Sequence, residues 1–412
     1  MTAAAASLDL PSIRARFPAL RADSAPAYFD GPAGTQVPDV VLEAIRSYLV
    51  GDNANLGGRY RSGRASDQLL SEARVAAASF LGAEPEEIVF GGNTTTITYL
   101  VASALARTLD AGDEIVTTRL DHDSNVSPWL QVAADHGLVV RSVGFRPSDG
   151  TLDLDELASR VGERTRLVAF GLASNALGTI NDVSRVVEIA RAAGALVWAD
   201  GVHFAPHRLV DARTWGLDVV TTSAYKYAGP HLGVAAIRRD LAESWPANKV
   251  RPAEETPAGH RYETGTQSHE AIAGFLAALD HLATLVPGEG SLRERLERSY
   301  GAVRRHEDRL GRRLLDGFAQ IDGVRVHGLT APDRLGERTA TFTIRSERVS
   351  PAAMAEALGD RDVYVADGDY YAWDAMHVLG LAPEGGVRVG AVHYTDDDDV
   401  DRLLTALGEV CA

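Results

Sequence analysis

The stretch Thr221-Thr222-Ser223-Ala224-Tyr225-Lys226-Tyr227-Ala228-Gly229 places one lysine in a small, hydroxyl-rich turn between two apolar runs. Leu217 to Val220 precedes it and reads as a short strand. Gly229-Pro230 breaks the chain, and Gly233 to Ile237 reads as a second strand. Boxed in this way, the Lys226 amine is partly desolvated, its pKa falls, and it becomes a Schiff-base candidate. Most turn lysines are simply solvated, so the meaning of this one depends on what surrounds it.

Upstream, strand signals cover Glu87–Phe90, Glu114–Thr117, Leu138–Val143, Leu167–Phe170 and Ala195–Ala199. Helix signals at 67–82, 94–109 and 182–193 alternate with them. With the two strands flanking Lys226, this spacing predicts an α/β fold whose large domain holds a mostly parallel, seven-stranded sheet covered by helices on both faces. In such sheets, ligand groups gather at the carboxyl ends of strands. The polar clusters fall there: Gly91-Gly92-Asn93-Thr94-Thr95, then Asp121-His122, Ser174-Asn175, Asp200, and Ser223 to Lys226. Five polar strand ends converging make a site.

Outside this block, residues 1–27 read as an N-terminal arm packing with a small domain, with a short helical pattern from Leu10-Pro11 to Phe17-Pro18. Tyr28 to Gly34 reads as a strand and a glycine-rich turn, and Pro38 to Val50 as a helix. Residues 51–64, rich in glycine and with three arginines, read as a loop facing either an anion or solvent. The large domain is expected over 28–288. After Val286-Pro287-Gly288-Glu289-Gly290 the composition shifts, and a smaller α+β domain is expected over 289–412. It comprises a charge-rich helix at about 291–320, strands at Val324–Val326, Ala340–Ile344, Val363–Ala366 and Val387–Val392, and a last helix after Thr395 with four aspartates in its first turn.

A chain of 412 residues is too long for one core, which fits two domains. A net charge of −16 argues against nucleic acid or an anionic membrane as the main partner. Apolar runs fall short of the roughly 18 residues a spanning helix needs, and Met1 to Leu10 lacks the pattern of a signal peptide. A cytoplasmic protein is the expectation. The single cysteine, Cys411, excludes any intrachain disulfide or cysteine-based metal site.

Each polar cluster has a plain and a chemical reading. The Gly91 to Thr95 segment before a helix is either a phosphate cradle or an ordinary threonine cap. Asp200 either holds a proton on a heteroaromatic ring nitrogen or caps the next element. His122 either stacks on a planar ligand or is a surface histidine. Asp200, His203 and His207 imitate a metal site, but Pro206 argues against the regular helix that ligation by residues four apart needs. With Asp121 and His122 they leave a metal-dependent hydrolase as a reading from another class.

The order of threonine cradle, histidine, asparagine, aspartate and Ser-x-x-Lys resembles the fold type I pyridoxal-phosphate enzymes, specifically the class V aminotransferase family and its cysteine desulfurase-like branch. The matching stretches run from Tyr28-Phe-Asp-Gly-Pro-Ala through Asp121-His-Asp-Ser-Asn-Val-Ser-Pro-Trp129, Ser174-Asn-Ala-Leu-Gly-Thr179 and Ala199-Asp-Gly-Val-His203. They continue through Ser223-Ala-Tyr-Lys226 and Tyr262-Glu-Thr-Gly-Thr266 to Val387-Arg-Val-Gly-Ala-Val-His-Tyr394. The resemblance implies that Lys226 holds the cofactor and shuttles the α-proton, Asp200 pairs with the ring nitrogen, His122 stacks on the ring, and Asn175 bonds the ring hydroxyl. It implies that Thr94, Thr95, Ser223 and Tyr225 hold the phosphate, with His203 also at the cofactor. Gly265 and Thr266 would reach the phosphate of a neighbouring subunit, making a homodimer with shared sites. Arg388 would clamp the substrate carboxylate, and Arg59 and Arg61 would line the substrate entrance.

Two departures stand out against the desulfurases of that family. His203 and Tyr225 stand where those enzymes often carry glutamine and histidine. The segment where they carry a sulfur-accepting cysteine reads Asp367-Gly-Asp-Tyr-Tyr-Ala-Trp373, and Cys411 lies beyond Arg388. The expected activity is therefore α-proton abstraction from an amino acid followed by β-elimination, a carbon–sulfur lyase acting on cysteine or an S-substituted cysteine. Transamination is the alternative, racemisation or epimerisation the next. Tyr370 and Tyr371 either shape the substrate pocket or pack a loop.

Overall fold

The structure, a computed structural model, describes residues 7–22 and 24–412. Met1–Ala6 and Asp23, part of the expected arm, lie outside the described residues. Seven strands build the large sheet: β1 (Ile88–Gly91), β2 (Glu114–Thr118), β3 (Val139–Val143), β4 (Thr165–Gly171), β5 (Leu196–Asp200), β6 (Val219–Ser223) and β7 (Gly233–Ile237). Their spatial order is β1-β7-β6-β5-β4-β2-β3, all parallel except β7, which runs against both neighbours. The mostly parallel α/β sheet read from the sequence is the one observed.

Both faces are covered, which is why the central strands are near-continuous apolar runs. Alternate side chains of one strand go to opposite layers: Val197 and Ala199 join the cluster of Phe80, Phe170 and Phe275, whereas Trp198 packs with Trp129, Ile115 and Leu167. The two tryptophan rings meet edge to face at 5.0 Å. Reversed β7 needs a glycine at its start, because a Cβ on Gly233 would lie 2.6 Å from the Asn93 backbone. That close approach brings the helix Thr94–Ala106 up against the end of β6.

A second, four-stranded antiparallel sheet follows: β8 (Val324–His327), β9 (Thr341–Ser346), β10 (Ala366–Gly368) and β11 (Gly386–Gly390), in the order β8-β9-β11-β10. It packs against the helices Leu292–Phe318, Pro351–Gly359 and Asp397–Cys411 through Phe318, Phe342, Val387, Val389 and Leu407. On β11 the alternation that buries Val387 and Val389 in this core turns Arg388 the other way. The N-terminal segment touches both layers. Arg14 binds Asp396 at 3.1 Å and Asp399 at 2.6 Å, Phe17 joins the large core, and Ala27–Tyr28 pairs in parallel with Val363–Tyr364.

Two expectations are corrected. Residues 51–64 are not all loop: the helix Asp39–Ser47 runs on into a π-turn at Tyr48–Asp52, and a 21-residue helix starts at Arg61. Its first turn, Arg61-Ser-Gly-Arg, carries no large apolar residue, so the helix signal in the sequence begins only at 67. The expected strand Val363–Ala366 is two: Val363–Tyr364 pairs with the N-terminal segment, and β10 pairs with β11. No helix among the described residues is long and apolar enough to cross a membrane.

Candidate functional site

The carboxyl ends of β1, β2, β4, β5 and β6 open into one cavity of about 640 Å³, within the usual range of roughly 300–1,000 Å³ for small-molecule sites. Thr94, Thr95, His122, Asn175, Asp200, His203, Ser223, Tyr225 and Lys226 all line it.

Its floor is Lys226. The turn Ala224–Lys226 ends β6, and the segment after Tyr28 folds over it, with Thr35 N–H donating to the Tyr225 carbonyl at 3.0 Å. Lys226 Nζ donates to the Pro32 carbonyl. Burial, and next the Arg388 charge, lower the lysine to about 7, against the opposing pull of Asp200. Asp200 ends β5 with its carboxylate accepting the Val202 N–H at 2.8 Å, and burial pushes it up to about 6. Burial disfavours the charged form of each group, and the charge of each favours that of the other.

The rim at β1 and β6 is knit by hydroxyls. Thr94 N–H donates to Ser223 Oγ at 3.1 Å, whose hydroxyl donates back to Thr94 Oγ1 at 3.0 Å. Asn93 caps the helix by accepting the Thr96 N–H at 2.9 Å. A helix N-terminus with exposed Thr95 and side-chain-free Gly92 beside it leaves donors and room for an anion.

At the end of β2, Asp121 does not line the cavity. It is buried beneath the loop, accepting from Thr118 Oγ1 at 2.6 Å, Gly171 N–H at 2.9 Å and Asn125 Nδ2 at 2.7 Å. Burial raises it to about 7 while those donors pull it down. These bonds anchor the loop that carries His122. The Ser124 N–H donates to His122 Nδ1 at 3.0 Å, so Nδ1 carries no proton and the neutral ring is protonated on Nε2. Burial, then the Lys226 and Arg388 charges, hold His122 down at about 3.

Asn175 sits in the turn after β4. Its Nδ2 donates to the Tyr370 carbonyl at 2.8 Å, and its Oδ1 is buried without a partner. His203 Nε2 meets Thr339 Oγ1 at 3.2 Å, while its Nδ1 is also unpaired; burial holds this ring far below the ordinary histidine range. Residues 201–208 form turns, not a helix, and His207 is occupied by Glu307 Oε2 at 3.0 Å. Among the described residues no group of three or more His, Cys, Asp or Glu side chains is gathered as metal ligands.

Arg388 and Tyr370 stand beside the cavity without lining it. Arg388 is buried, bonds the Asn175 carbonyl through Nη1 at 3.1 Å, leaves Nε unpaired, and lies 4.5 Å over the Tyr370 ring. Burial lowers even this guanidinium to about 10. Arg59, Gly265 and Thr266 are exposed and outside this cavity. The sequence reading did not single out Ser124, Tyr99 and His231, all of which line the cavity. His231 stacks on Tyr225 at 4.8 Å, and its position just past Gly229-Pro230 was the available signal.

These residues fit pyridoxal phosphate. A depressed, buried lysine, a buried carboxylate facing the same space, unpaired Asn175 Oδ1 and His203 Nδ1, and a hydroxyl-lined helix start match its aldehyde, ring nitrogen, ring hydroxyl and phosphate in turn.

The profile described as Aminotransferase class-V matches residues 27–403. "Aminotransferase-like protein FGM3" of Gibberella zeae is 30% identical over 411 residues, covering 97% of this chain and 98% of its own. A "Probable cysteine desulfurase" of Pseudomonas aeruginosa is 33% identical over 97% of this chain and 98% of its own. Among solved structures, the apo cysteine desulfurase of Thermococcus onnurineus superposes with a TM-score of 0.88 at 26% identity, over 99% of both chains. The chain belongs to the class-V aminotransferase family and is a pyridoxal-phosphate-dependent enzyme.

Proposed function

We propose that this enzyme is a carbon–sulfur β-lyase acting on cysteine or an S-substituted cysteine, and that it does not take the sulfur onto a thiolate of its own. One observation carries the reading: the segment Asp367–Trp373, beside Arg388 and His122, offers two tyrosines and no thiol. The one cysteine, Cys411, ends the last helix, 1% exposed in the apolar cluster of Leu403 and Leu407. Desulfurase-named relatives support a sulfur amino acid as substrate, and the missing thiol leaves free sulfide or thiol as product. For cysteine, substrate and water yield pyruvate, ammonia and hydrogen sulfide.

In this reading Thr94, Thr95 and Ser223 hold the cofactor phosphate with Tyr225 beside them, Asp200 the ring N–H, His122 the ring face, and Asn175 and His203 the ring hydroxyl. When bound, pyridoxal phosphate supplies the sink for the electron pair left at the substrate Cα. Lys226 Nζ anchors it at rest and, once released by the substrate amine, takes the Cα proton. A lysine lowered to about 7 is matched to that work at neutral pH. The Asp200 carboxylate keeps the ring nitrogen protonated. His122, held neutral, offers a flat face without a competing charge. Arg388 receives the substrate carboxylate, with its unpaired Nε available for a two-pronged contact. Gly265, Thr266 and Arg59, exposed on this chain, are assigned to the cavity of a second copy in a homodimer.

A panel of amino acids and cysteine S-conjugates, scored separately for pyruvate, sulfide or thiol, and side-chain-retaining keto acid, tests the proposal. Equal yields of pyruvate and sulfide or thiol are expected. A keto acid that keeps the substrate side chain, or inversion at Cα without cleavage, would overturn it in favour of an aminotransferase or an epimerase.

A further inference from the structure

Tyr370 and Tyr371 are consecutive non-glycine residues with positive φ, 54° and 57°. The left-handed region is sterically unfavourable for any L side chain, and two in a row persist only where the surroundings over-determine them. Tyr371 is 71% exposed, so burial of its ring does not supply that constraint. Hydrogen bonds do. Asp369 closes the turn locally, its Oδ1 accepting the Tyr371 N–H at 3.0 Å. The Tyr370 carbonyl accepts from Asn175 Nδ2 at 2.8 Å, and the Tyr371 carbonyl accepts from the Asp123 N–H at 2.7 Å.

Both anchors lead straight into the site, and both rings return to it. From Tyr370 the circuit runs through Asn175 Nδ2, from the Asn175 carbonyl to Arg388 Nη1, and from the guanidinium back to the Tyr370 ring at 4.5 Å. From Tyr371 it runs through the Asp123 N–H to the adjoining His122, whose imidazole stacks on the Tyr371 ring at 5.4 Å and 29°. The same two residues therefore grip, by backbone and by ring, the histidine and the arginine that face the cofactor and the substrate.

We propose that Tyr370-Tyr371 is a double clamp of positioning residues: Tyr371 backs His122 so that the opposite imidazole face is presented flat to the cofactor, and Tyr370 sets the plane of the Arg388 guanidinium for the substrate carboxylate. This rests on the cofactor site described above. It gives the thiol-free loop a role of its own: a fixed support in place of a group that reacts.

The test for Tyr371 is made on the cofactor-free protein. Histidine-labelled protein is titrated by NMR, with the His122 signal assigned from a His122→Gln variant. In wild type His122 stays neutral down to about pH 5. In Tyr371→Ala, which bares one imidazole face to water, its midpoint rises by about one pH unit or more, and Tyr371→Phe restores the wild-type curve. The Tyr370 arm is kinetic: Tyr370→Leu raises KM for the amino acid about tenfold while kcat changes much less, and Tyr370→Phe, which keeps the ring, does not. Unchanged His122 titration in Tyr371→Ala, or a Phe variant that behaves like Ala, overturns the proposal. If Tyr370→Leu does not fold, the exposed Tyr371 decides alone. A wild-type protein that binds no pyridoxal phosphate would sink the functional reading and leave the His122 shift to be read as it stands.

Discussion

Arg74 and Glu263 form one buried polar cluster and the residues around Lys226 and Arg388 another, and the two are built differently. Arg74 Nη2 donates to Glu263 Oε2 at 2.7 Å and Nη1 to the Ile88 carbonyl at 2.5 Å. Glu263 also receives the Phe90 N–H at 2.8 Å and His260 Nδ1 at 2.8 Å. Neither side chain leaves a buried polar atom unpaired. In and beside the cavity, by contrast, Asn175 Oδ1, His203 Nδ1 and Arg388 Nε are buried and unpaired, and burial pushes Lys226 down to about 7 and Asp200 up to about 6. Native proteins pair their buried polar groups, so a closed network ties elements together, and an open one marks where something else completes it. The first joins β1 to the helix Arg61–Leu81 and the turn Ala258–Tyr262. The second is the site proposed above for the cofactor and substrate.

The largest effect expected from this contrast is at Lys226. Lys226→Ala should lower turnover on the order of 10³-fold or more and at the same time stabilise the cofactor-free protein on the order of a few kcal/mol, because it removes an amine whose charge is disfavoured by burial. Steady-state assays and urea unfolding of the apo-protein measure the two. A variant that loses activity and stability together would erase the distinction between the clusters.

Glu263→Ala should do the reverse. Leaving Arg74 buried without its carboxylate costs about 3–5 kcal/mol, read as a fall in Tm, while kcat of the protein that remains folded is unchanged. A selective loss of turnover would mean that this closed network also serves the chemistry.

The sign of the pH dependence sharpens the same contrast. Lys226 has a folded pKa near 7, below the unfolded 10.5, so its destabilising contribution is full below about pH 7 and disappears as pH rises towards 10.5. Asp200 is shifted the other way, from 3.8 to about 6, so its contribution is absent below about pH 3.8 and full above about 6. The stability advantage of Lys226→Ala over wild type should therefore be larger at pH 6.5 than at pH 9.5. The rate at which apo-protein takes up pyridoxal phosphate should fall about tenfold per pH unit below about 7, as the free amine is consumed. Uptake that stays level from pH 7 to 5 would mean that Lys226 is not titrating there.

Much of this was legible in the sequence because it is local. A strand with four buried residues ending in Asp200, or one with five ending in Ser223, announces both its burial and the polar group at its tip within a few positions. The mostly parallel sheet covered by helices follows from that alternation; the order of its strands and the reversal of β7 do not. What could not be read is what depends on distance along the chain. Nothing near Arg388 states that its guanidinium lies on Tyr370 and bonds the carbonyl of Asn175, 213 residues earlier. The first turn of the helix at Arg61 has no apolar side chain to betray it. Ser124 and His231 enter the cavity through turns whose direction is set by tertiary packing and leaves no periodic trace.

The smallest expected effects are at Arg61, in that first turn, and at Arg59, two residues before it, and they probe what one chain lacks. Arg61 pairs with Asp52 at 2.6 Å but is 75% exposed, and Arg59 offers its carbonyl to Arg64. Exposed pairs of this kind contribute about 0–1 kcal/mol, so Arg59→Ala and Arg61→Ala should each move the unfolding free energy by no more than about 0.5 kcal/mol. Neither side chain lines the cavity of its own chain. If Arg59 serves the cavity of a second copy, Arg59→Ala should raise KM without touching stability. Mixing it with a Lys226→Ala protein should then create one hybrid site in which intact Lys226 is served by an intact Arg59 from the other copy. Recovery of wild-type KM in that mixture, with turnover from only one of the two sites, is the expected result. A KM equal to that of Arg59→Ala alone would return this arginine to the solvated surface its exposure describes.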